Sequence, residues 1–415
     1  MRSARERSLL FISQCYPPDP AALGQHLHDV AREMVRRGYR VRVLTSRRGF
    51  TDRGERYPAR HEMDGVEVRR LAGGSMGKTS LRARALGGAS FLAQATLRAM
   101  LGPRPSGVLV ATSPPMAPIA GRLVAGLRRA PLTLWLMDLN PEQAILAGTV
   151  GASAPAARLL DRANRLAVRG SRTVVVLDRF MAERVRRRWD GRDHLAVVPA
   201  WAHQDHIAPI PHGDNPFRAL HGLDGKRVVM YSGNLSPVHP LDTMLQAARE
   251  LRDEPRLLFL LVGDGGQRAA IEQTIRNDRL DNVKLLPYQQ LGELRFSLSA
   301  ADVHLVSMGA TMVGVVHPSK IYGAMAAGRP ILYLGPRSSH IGEIVDRLDI
   351  GWHVDHGDVA GALKVLREVA SSPAEALEVR GRRALHALDG ELSQRRLVAS
   401  FCDLLEQGPR AGASA

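Results

Sequence analysis

Two blocks of short apolar runs, rich in β-branched residues, dominate the chain. Between the runs apolar residues recur with helical spacing, as at Leu27, Val30 and Met34. Continuous apolar runs are typical of parallel strands buried on both faces, and parallel strands need helical crossovers. Each block therefore predicts a doubly wound α/β sheet. The first block has predicted helices at 25–37 and 80–101, and predicted strands at 9–13, 41–45, 66–71 (as an edge strand), 108–112, 132–137 and 173–177.

The second block repeats the pattern after the stretch 200–224, which is rich in proline, histidine and glycine and predicts a linker. A chain of 415 residues also suits two domains. We expect an N-terminal domain over 1–205 and a C-terminal domain over 206–390. Over 391–415 we expect a helix that packs back towards the first domain, then a short flexible tail. The second block has predicted strands at 228–232, 257–262, 283–286, 303–307, 331–334 and 351–354, and predicted helices at 239–251, 266–276 and 290–300.

The positive charge is confined to the first half of the chain. Residues 1–213 contain 34 Lys/Arg and 17 Asp/Glu, whereas residues 214–415 contain 23 and 24, so the net charge of +16 arises in the first half. A basic half attracts anionic membranes, nucleic acid or phosphorylated ligands. An arginine-rich composition that only follows base usage in a GC-rich genome is the alternative. With aromatic residues at 5% and no recognised module, we expect no nucleic-acid partner.

The two cysteines, Cys15 and Cys402, give neither a disulfide framework nor a metal-binding spacing, which suits a reducing cytoplasm. The first apolar run, "LLFIS", is shorter than the ~7–15 residues of a signal peptide core. No run reaches the ~18 apolar residues of a membrane span. We expect a cytoplasmic protein. The stretch 80–101 mixes arginines with apolar residues, so two interpretations stay open: a core-facing helix, which we expect, or peripheral contact of the basic domain with the inner face of the plasma membrane.

Three loops that follow strands of the second block predict a phosphate site. They are "SGNLS" at 232–236, "GDGG" at 263–266 and "HPSKIYGAMAAGRP" at 317–330. In open α/β sheets ligands bind beyond the carboxyl ends of the strands, and glycines let the backbone approach a ligand. In the third loop Pro318 suits a first helical turn, Ser319 can cap or donate, and Lys320 adds a full positive charge. Together they predict a seat for a diphosphate. For each glycine loop alone, a tight turn is the alternative.

The ordered motifs resemble the retaining GT-B glycosyltransferases of family 4, most closely the WbuB-like bacterial branch. The resemblance covers nearly the whole chain. It rests on "CYPPDPAALGQHLHDVAREMVRRGYRVRVLT" at 15–45, "YSGNLSPVHPLDTMLQAA" at 231–248, "LLVGDGG" at 260–266 and "VVHPSKIYGAMAAGRPILYLG" at 315–335. It implies two Rossmann-like domains facing each other across a cleft. A hexosyltransferase-type enzyme of this kind takes a nucleotide sugar, here expected to be a UDP-sugar, in the second domain. The first domain takes a sugar, lipid-linked or small-molecule hydroxyl acceptor, in polysaccharide, glycolipid or natural-product biosynthesis.

The resemblance also implies roles for residues, with no metal and no cofactor beyond the nucleotide sugar as co-substrate. The expected catalytic residues are Asp138, His26 and Lys320. Asp138 follows the strand that often carries a His-Asp pair, and a helix N-cap in "DLNPEQ" is its alternative. A sugar contact is expected of His26, with a surface histidine as the alternative. The expected donor-binding residues are Gly24, Gly233, Asn234, Gly263, Gly265, Tyr288, Pro318, Ser319, Lys320, Ile321 and Glu343.

Four of the expected side chains have structural alternatives. Tyr288 lies in the segment whose backbone usually reads the base, or it only buries against the sheet. Glu343 contacts the ribose or completes a capping box. For His239 and His317 we expect structural roles.

The chain departs from the family pattern at charged positions. An arginine and a lysine usually clamp the phosphates, and the matching positions here are Asn234 and His239. Two glutamates are usual near the donor sugar and the ribose, and here the positions are Val315 and Gly323. Either Lys320 replaces the lost charge, which we expect, or the protein only binds its ligand. A nucleotide-sugar epimerase would need carboxylates in the cleft. An NAD-type oxidoreductase would need a Gly-x-Gly-x-x-Gly motif, which the first loop "SQCYPPDPAALG" lacks.

Overall fold

The computed structural model describes residues 7–19, 21–49, 54–73, 81–190, 194–202 and 207–409. These residues form two compact units, each built on one sheet. The first unit comprises the described parts of Met1–Pro199, Gly314–Val316 and Leu397–Ala415, and the second those of Ala200–Val313 and His317–Arg396. No helix among the described residues combines the length and the hydropathy needed to cross a bilayer.

The described residues of the first unit form an eight-stranded sheet in which only one pair of neighbouring strands is antiparallel. The strands run in the order β3-β4-β2-β1-β5-β6-β7-β8, with β3 antiparallel to β4. They are β1 Ser8–Ile12, β2 Arg40–Ser46, β3 Arg60–Met63, β4 Val66–Leu71, β5 Gly107–Ala111, β6 Leu132–Leu136, β7 Thr173–Val176 and β8 Leu195–Val197. The helices of its N-terminal part are α1 Ala22–Arg36, α2 Leu81–Leu101, α3 Ala117–Arg128, α4 Glu142–Leu146, α5 Pro155–Arg169 and α6 Arg179–Trp189.

Strand β4 is not the edge strand that the sequence predicted, because β3 pairs with it on its outer side. The turn between them is Asp64-Gly65, and both residues have positive φ, 49° and 77°. Aspartate followed by glycine is a favoured pair for such a hairpin turn. Strand β3 was missed because it is partly or fully exposed along its length and carries no apolar run.

The second unit is a six-stranded sheet in which all strands are parallel. Its order is β11-β10-β9-β12-β13-β14, so the chain order reverses between β9 and β12. The strands are β9 Arg227–Ser232, β10 Leu257–Val262, β11 Val283–Leu286, β12 Val303–Ser307, β13 Ile331–Leu334 and β14 Gly351–Val354. The helices are α7 Pro216–Leu220, α8 Asp242–Glu250, α9 Arg268–Asp278, α10 Leu294–Ser299, α11 Lys320–Ala326, α12 His340–Leu348, α13 Val359–Ser371 and α14 Ala374–Asp389.

Apolar clusters cover both faces of this second sheet, which explains why its strands are continuous apolar runs. One face packs Tyr231, Phe259 and Leu305, and the other packs Met230 and Leu260. A parallel sheet covered on both faces leaves its carboxyl-end edge as the place where loops meet a ligand.

The second half of the predicted linker is folded. Asn215 caps α7 by accepting the Phe217 N–H at 3.1 Å, and Phe217 is buried in the core of the second unit. The buried Arg218 guanidinium donates to the carbonyls of Ala300 and Leu223. Residues 203–206 of the predicted linker lie outside the described residues.

The last helix, α15 Gln394–Gln407, joins the first unit from Leu397 onwards. The Phe401 ring packs 4.4 Å from the Trp135 ring, measured between centroids. On the helix surface, Arg37 of α1 donates to Asp403 at 2.7 Å and to Glu406 at 2.9 Å. Apolar packing and an ion-pair cluster therefore both hold α15 against the first unit.

Candidate active site

A lysine marks the point where the strand order of the second unit reverses. The strand β9 ends at Ser232, and the ammonium of Lys320, the first residue of α11, donates to the Tyr231 hydroxyl at 2.5 Å. The same nitrogen lies 4.1 Å from the centroid of the Tyr231 ring. A Cβ atom on Gly233 would come within 3.2 Å of the Lys320 side chain. Strand, loop and helix thus converge on one ammonium at the sheet edge where ligands bind in this kind of fold.

The Lys320 ammonium has no counter-charge among the described residues. Although the residue keeps some solvent contact, burial lowers the pKa of its side chain to about 7, and no charged neighbour offsets this. Its partner Tyr231 is fully buried and donates its own hydroxyl proton to the Asn234 carbonyl at 2.7 Å. A desolvated ammonium that lacks a carboxylate partner is stabilised when an anion binds beside it. The geometry therefore suits a negatively charged ligand.

His239 does not supply a second positive charge. Its Nδ1–H donates to the Ser307 carbonyl at 2.6 Å, which ties the loop after β9 to the end of β12. Burial, and then the charge of Lys320, lower the pKa of His239 to about 3, so the imidazole is neutral at working pH. This is the structural role that the sequence led us to expect.

The glycines of the two loops serve close backbone packing. A Cβ atom on Gly263 would lie 1.9 Å from the Gly233 carbonyl oxygen, and one on Gly265 would lie 2.2 Å from that of Leu235. Both glycines have positive φ, 153° and 152°. Tight turns, the alternative weighed for the glycine loops, therefore account for both residues.

The backbone N–H groups expected to bind phosphate are already used inside the protein. The Gly233 N–H donates to Val262, the Gly263 N–H to Leu286, and the Gly265 N–H to the Asp264 carboxylate, at 2.8–2.9 Å. Gly24 is in the first turn of α1 and not in a loop, and its N–H donates to Ala21 at 2.9 Å. All four glycines were expected to bind the donor, and their amides already have hydrogen-bond partners within the protein. The charge of Lys320 is left as the main attraction for an anion.

Ser319, the residue before Lys320, is the N-cap of α11 and carries a hydroxyl. Ser319 is exposed and its side chain makes no capping hydrogen bond, so the hydroxyl faces solvent. Pro318 is buried, and Ile321 is fully buried, so direct donor contact by the Ile321 side chain is wrong. The helix has only seven residues, and its short dipole adds little to the lysine charge.

Two further predicted residues lie near other strand ends of the second unit. Tyr288 follows β11, is 47% exposed, and donates its hydroxyl to the Asp264 carbonyl at 3.3 Å, so simple burial against the sheet is excluded. Glu343 is half-buried in the first turn of α12. It does not complete a capping box, because the residue three after the cap is Gly342 and the Ser339 N–H donates to Arg337.

His317 turns inward. Its Nε2 lies 2.9 Å from the Tyr322 hydroxyl, which lies 3.2 Å from Nε2 of His340. This cluster of two histidines and a phenol, of which His317 and Tyr322 are buried, was not foreseen from the sequence. It supports the structural role expected of His317.

In the first unit, the structural alternatives for Asp138 (a helix N-cap) and for His26 (a surface histidine) are both wrong. Asp138 is half-buried two residues beyond β6, but α4 begins at Glu142 with Pro141 as its N-cap, so Asp138 is not a helix cap. His26 is only 2% exposed, with its ring 6.4 Å from the Trp135 ring, so it is not a surface histidine. The same burial leaves His26 almost no surface for a direct sugar contact, whereas Asp138 keeps some.

The described residues form two α/β units, and a desolvated lysine lies where the strand order of the second sheet reverses. Two family profiles match the chain: "Glycosyl transferase 4-like domain" over residues 22–201 and "Glycosyl transferases group 1" over residues 215–384. The chain belongs to the family 4-like glycosyltransferases of the GT-B fold.

Two curated relatives are bacterial proteins. The chain is 28% identical to the glycosyltransferase WbjE of Pseudomonas aeruginosa over 236 residues, which cover 57% of this chain and 59% of that protein. It is 25% identical to WcaI of Escherichia coli, described as a colanic acid biosynthesis glycosyl transferase, over 80% of this chain and 84% of that protein.

Solved structures share the fold at low sequence identity. The sucrose-phosphate synthase of Thermosynechococcus elongatus superposes with a TM-score of 0.74 and 17% identity, covering 97% of this chain and 98% of that one. Anabaena HepE, solved in complex with UDP, has a TM-score of 0.69 and 16% identity, covering 96% and 99%. Among the residues that the structure describes here, no group of three or more His, Cys, Asp or Glu side chains is placed to hold a metal ion.

Proposed function

We propose that the chain transfers a sugar from a nucleoside diphosphate sugar to a hydroxyl acceptor, with retention at the anomeric carbon, in the synthesis of a bacterial polysaccharide or glycolipid. The names of WbjE and WcaI support the glycosyl-transfer class, and that of WcaI supports a polysaccharide product. The UDP and UDP-glucose complexes of HepE support a uridine nucleotide as the first donor to test.

The observation that carries the proposal is the desolvated Lys320 ammonium, which has no carboxylate partner among the described residues. As the bond between the sugar and the diphosphate breaks, negative charge grows on the leaving phosphate. A positioned cation in a poorly solvated site stabilises that charge more in the transition state than in the ground state. The neighbouring Ser319 hydroxyl is exposed and donates to the same phosphate in this proposal. Lys320 thus takes the place of the charged pair missing at Asn234 and His239.

The chemical step needs no protein base in this proposal. The bond from the anomeric carbon to the phosphate oxygen breaks, and the bond to the acceptor oxygen forms on the same face of the sugar. The acceptor hydroxyl proton passes to the departing phosphate oxygen. Asp138 orients a hydroxyl group, Tyr288 lies beside the base, and Glu343 accepts from the ribose. The His26 imidazole, which is buried, supports the fold of the first unit.

The test is nucleotide binding by calorimetry with UDP, GDP and dTDP on the wild type and on Lys320→Met. Methionine keeps the volume and removes the charge, so we expect a loss in affinity of at least ~100-fold for the nucleotide that binds. The matched control is Lys284→Met, which removes another part-buried lysine of the second unit, one that donates to the His221 carbonyl. The control should bind like the wild type.

Transfer is then measured with the matching sugar donors. Release of the nucleotide together with a glycosylated product supports the proposal. If no nucleotide binds the wild type, the donor site is refuted. If a nucleotide binds but no donor turns over, the protein is a binding protein of this fold. If the donor becomes an isomeric nucleotide sugar and no nucleotide is released, the protein is an epimerase.

A further inference from the structure

Exposed leucines concentrate on one surface of the first unit. Of the eleven large apolar side chains that are exposed in the described part of the chain, seven lie on three helices, α2, α3 and α5. We call this surface the leucine face. It consists of Leu86, Leu97, Leu101, Leu123, Leu127, Leu159 and Leu166.

The leucines form a stripe on each helix, and the helices lie side by side. The spacings are 11 and 4 residues on α2, 4 on α3 and 7 on α5, which correspond to whole numbers of turns at 3.6 residues per turn. Helix α3 packs against α2 on one side and against α5 on the other. The three stripes therefore share one outer surface. The inner side of α2 carries buried residues such as Phe91 and Ala95, so α2 is a core-facing helix with an apolar outer stripe.

Arginines border the leucines, and acids are almost absent. The three helices contain one acidic residue, Asp161, and its carboxylate accepts from Arg188 and Trp189 of α6. By contrast, the exposed side chains of Arg98, Arg122, Arg158 and Arg162 have no carboxylate partner among the described residues. The leucine face is thus apolar and cationic at once.

We propose that the leucine face docks on an anionic phospholipid bilayer. Leucines at this surface enter the acyl boundary, while the arginines beside them keep their guanidinium groups at the level of the lipid phosphates. Cationic residues near an anionic leaflet add an attraction that salt screens. This surface goes beyond the transfer reaction and does not depend on the nucleotide site.

The combination of charge and apolar surface favours a membrane over a second copy of the chain or nucleic acid. A second copy of the chain would oppose arginines with arginines and offers no acidic surface on the same helices. Nucleic acid would match the arginines but would leave seven leucines against a charged backbone. A bilayer with anionic headgroups satisfies the arginines and the leucines together.

The experiment is flotation of the purified full chain with vesicles. One vesicle is pure phosphatidylcholine, and the other contains equal parts of phosphatidylcholine and phosphatidylglycerol. We expect flotation with the second and not the first, and loss of flotation in ~1 M salt, where the Debye length shrinks to ~3 Å. The double substitution Leu127→Ser with Leu166→Ser should weaken partition ~tenfold. Leu220→Ser with Val379→Ser removes two exposed apolar side chains of the second unit and is the matched control.

An arginine pair tests the charge in the same assay. Arg122→Gln with Arg162→Gln should weaken flotation, and the control Arg276→Gln with Arg279→Gln should not. Thermal unfolding of each variant checks that it is folded. The proposal is overturned if the wild type does not float with the anionic vesicles, or if the leucine variant floats as well as its control. The proposal is also overturned if the protein binds duplex DNA as tightly as lipid, and if the arginine substitutions weaken DNA binding while the leucine substitutions do not.

Discussion

Arg37 in the first unit and Lys320 in the second are both cations held close to protein atoms, but among the described residues only Arg37 has carboxylate partners. Burial alone would lower the pKa of Arg37, yet hydrogen bonds to Asp403 and Glu33 outweigh it and raise the pKa. Lys320 has a phenol as its partner, and burial lowers its pKa. The difference in partners indicates two roles. Arg37 holds two helices together, whereas Lys320 is available to bind an anion.

The largest effect should come from removing the unpaired cation. Lys320→Met should reduce nucleotide affinity by ~100-fold or more, because a charge-assisted contact with the diphosphate is lost. The free energy of unfolding without ligand should not fall, since the substitution removes a desolvated charge and keeps the volume. Calorimetry and denaturant unfolding measure the two quantities on the same sample. A clear loss of stability would mean that Lys320 is structural.

The paired cation should behave in the opposite way. Arg37→Met leaves Asp403 and Glu406 without the cation that they share and leaves Glu33 with Arg36 alone. We expect a decrease of about 2 kcal/mol in the free energy of unfolding, because like charges then face one another in a partly buried cluster. Nucleotide affinity should stay at the wild-type value. If affinity fell while stability held, the contrast between the two cations would be wrong.

A third effect comes from pH. Because the pKa of Lys320 is lowered to about 7 in the free protein, the ammonium is present below this pH and is lost above it. A bound diphosphate favours the charged form, so affinity should be greatest below pH 7 and fall by up to ~tenfold per pH unit above it. UDP-glucose is the suitable probe, because its diphosphate does not titrate in this range. Lys320→Met should show a flat profile over the same range.

The smallest effect is expected from removing the Tyr231 hydroxyl, which accepts a hydrogen bond from the Lys320 ammonium. Tyr231→Phe removes the oxygen that accepts from Lys320 and donates to the Asn234 carbonyl. We expect affinity to fall ~tenfold or less, and the midpoint of the pH profile to move below that of the wild type, since the charged form loses a hydrogen bond. Tyr333→Phe is the matched control, because Tyr333 lies in β13 of the same sheet and its buried hydroxyl bonds to Ser339. A loss of affinity with an unmoved midpoint would indicate a packing effect only.

The strands could largely be predicted from the sequence, because parallel strands that are buried on both faces consist of continuous apolar runs. The exceptions are short or polar: β3 is partly exposed throughout, and β8 has three residues. The Asp64-Gly65 pair was a readable signal for β3 that the apolar pattern outweighed. The burial of His26 was also readable, since it shares a helix face with Val30 and Met34 at intervals of four residues.

The site was harder to predict, because a glycine after a strand has the same sequence pattern whether it allows tight loop packing or binds a phosphate. Gly263 and Gly265 allow loops to pack at positive φ, and a phosphate-binding loop would read the same. Lys320 could be singled out from its residue type and position. Its partner Tyr231 could not, because their contact depends on how α11 packs against the end of β9.

The most direct test of the central claim, that Lys320 is the cation for the donor diphosphate, is the number of protons taken up on binding. Titration calorimetry of UDP-glucose at pH 8, in buffers of different ionisation enthalpy, gives this number. With a pKa of about 7, Lys320 is mostly neutral before binding and should take up about one proton when the diphosphate arrives. The Lys320→Met variant, titrated at higher ligand concentration, should take up none. Binding by the wild type without proton uptake, or with the same uptake as the variant, would contradict the claim.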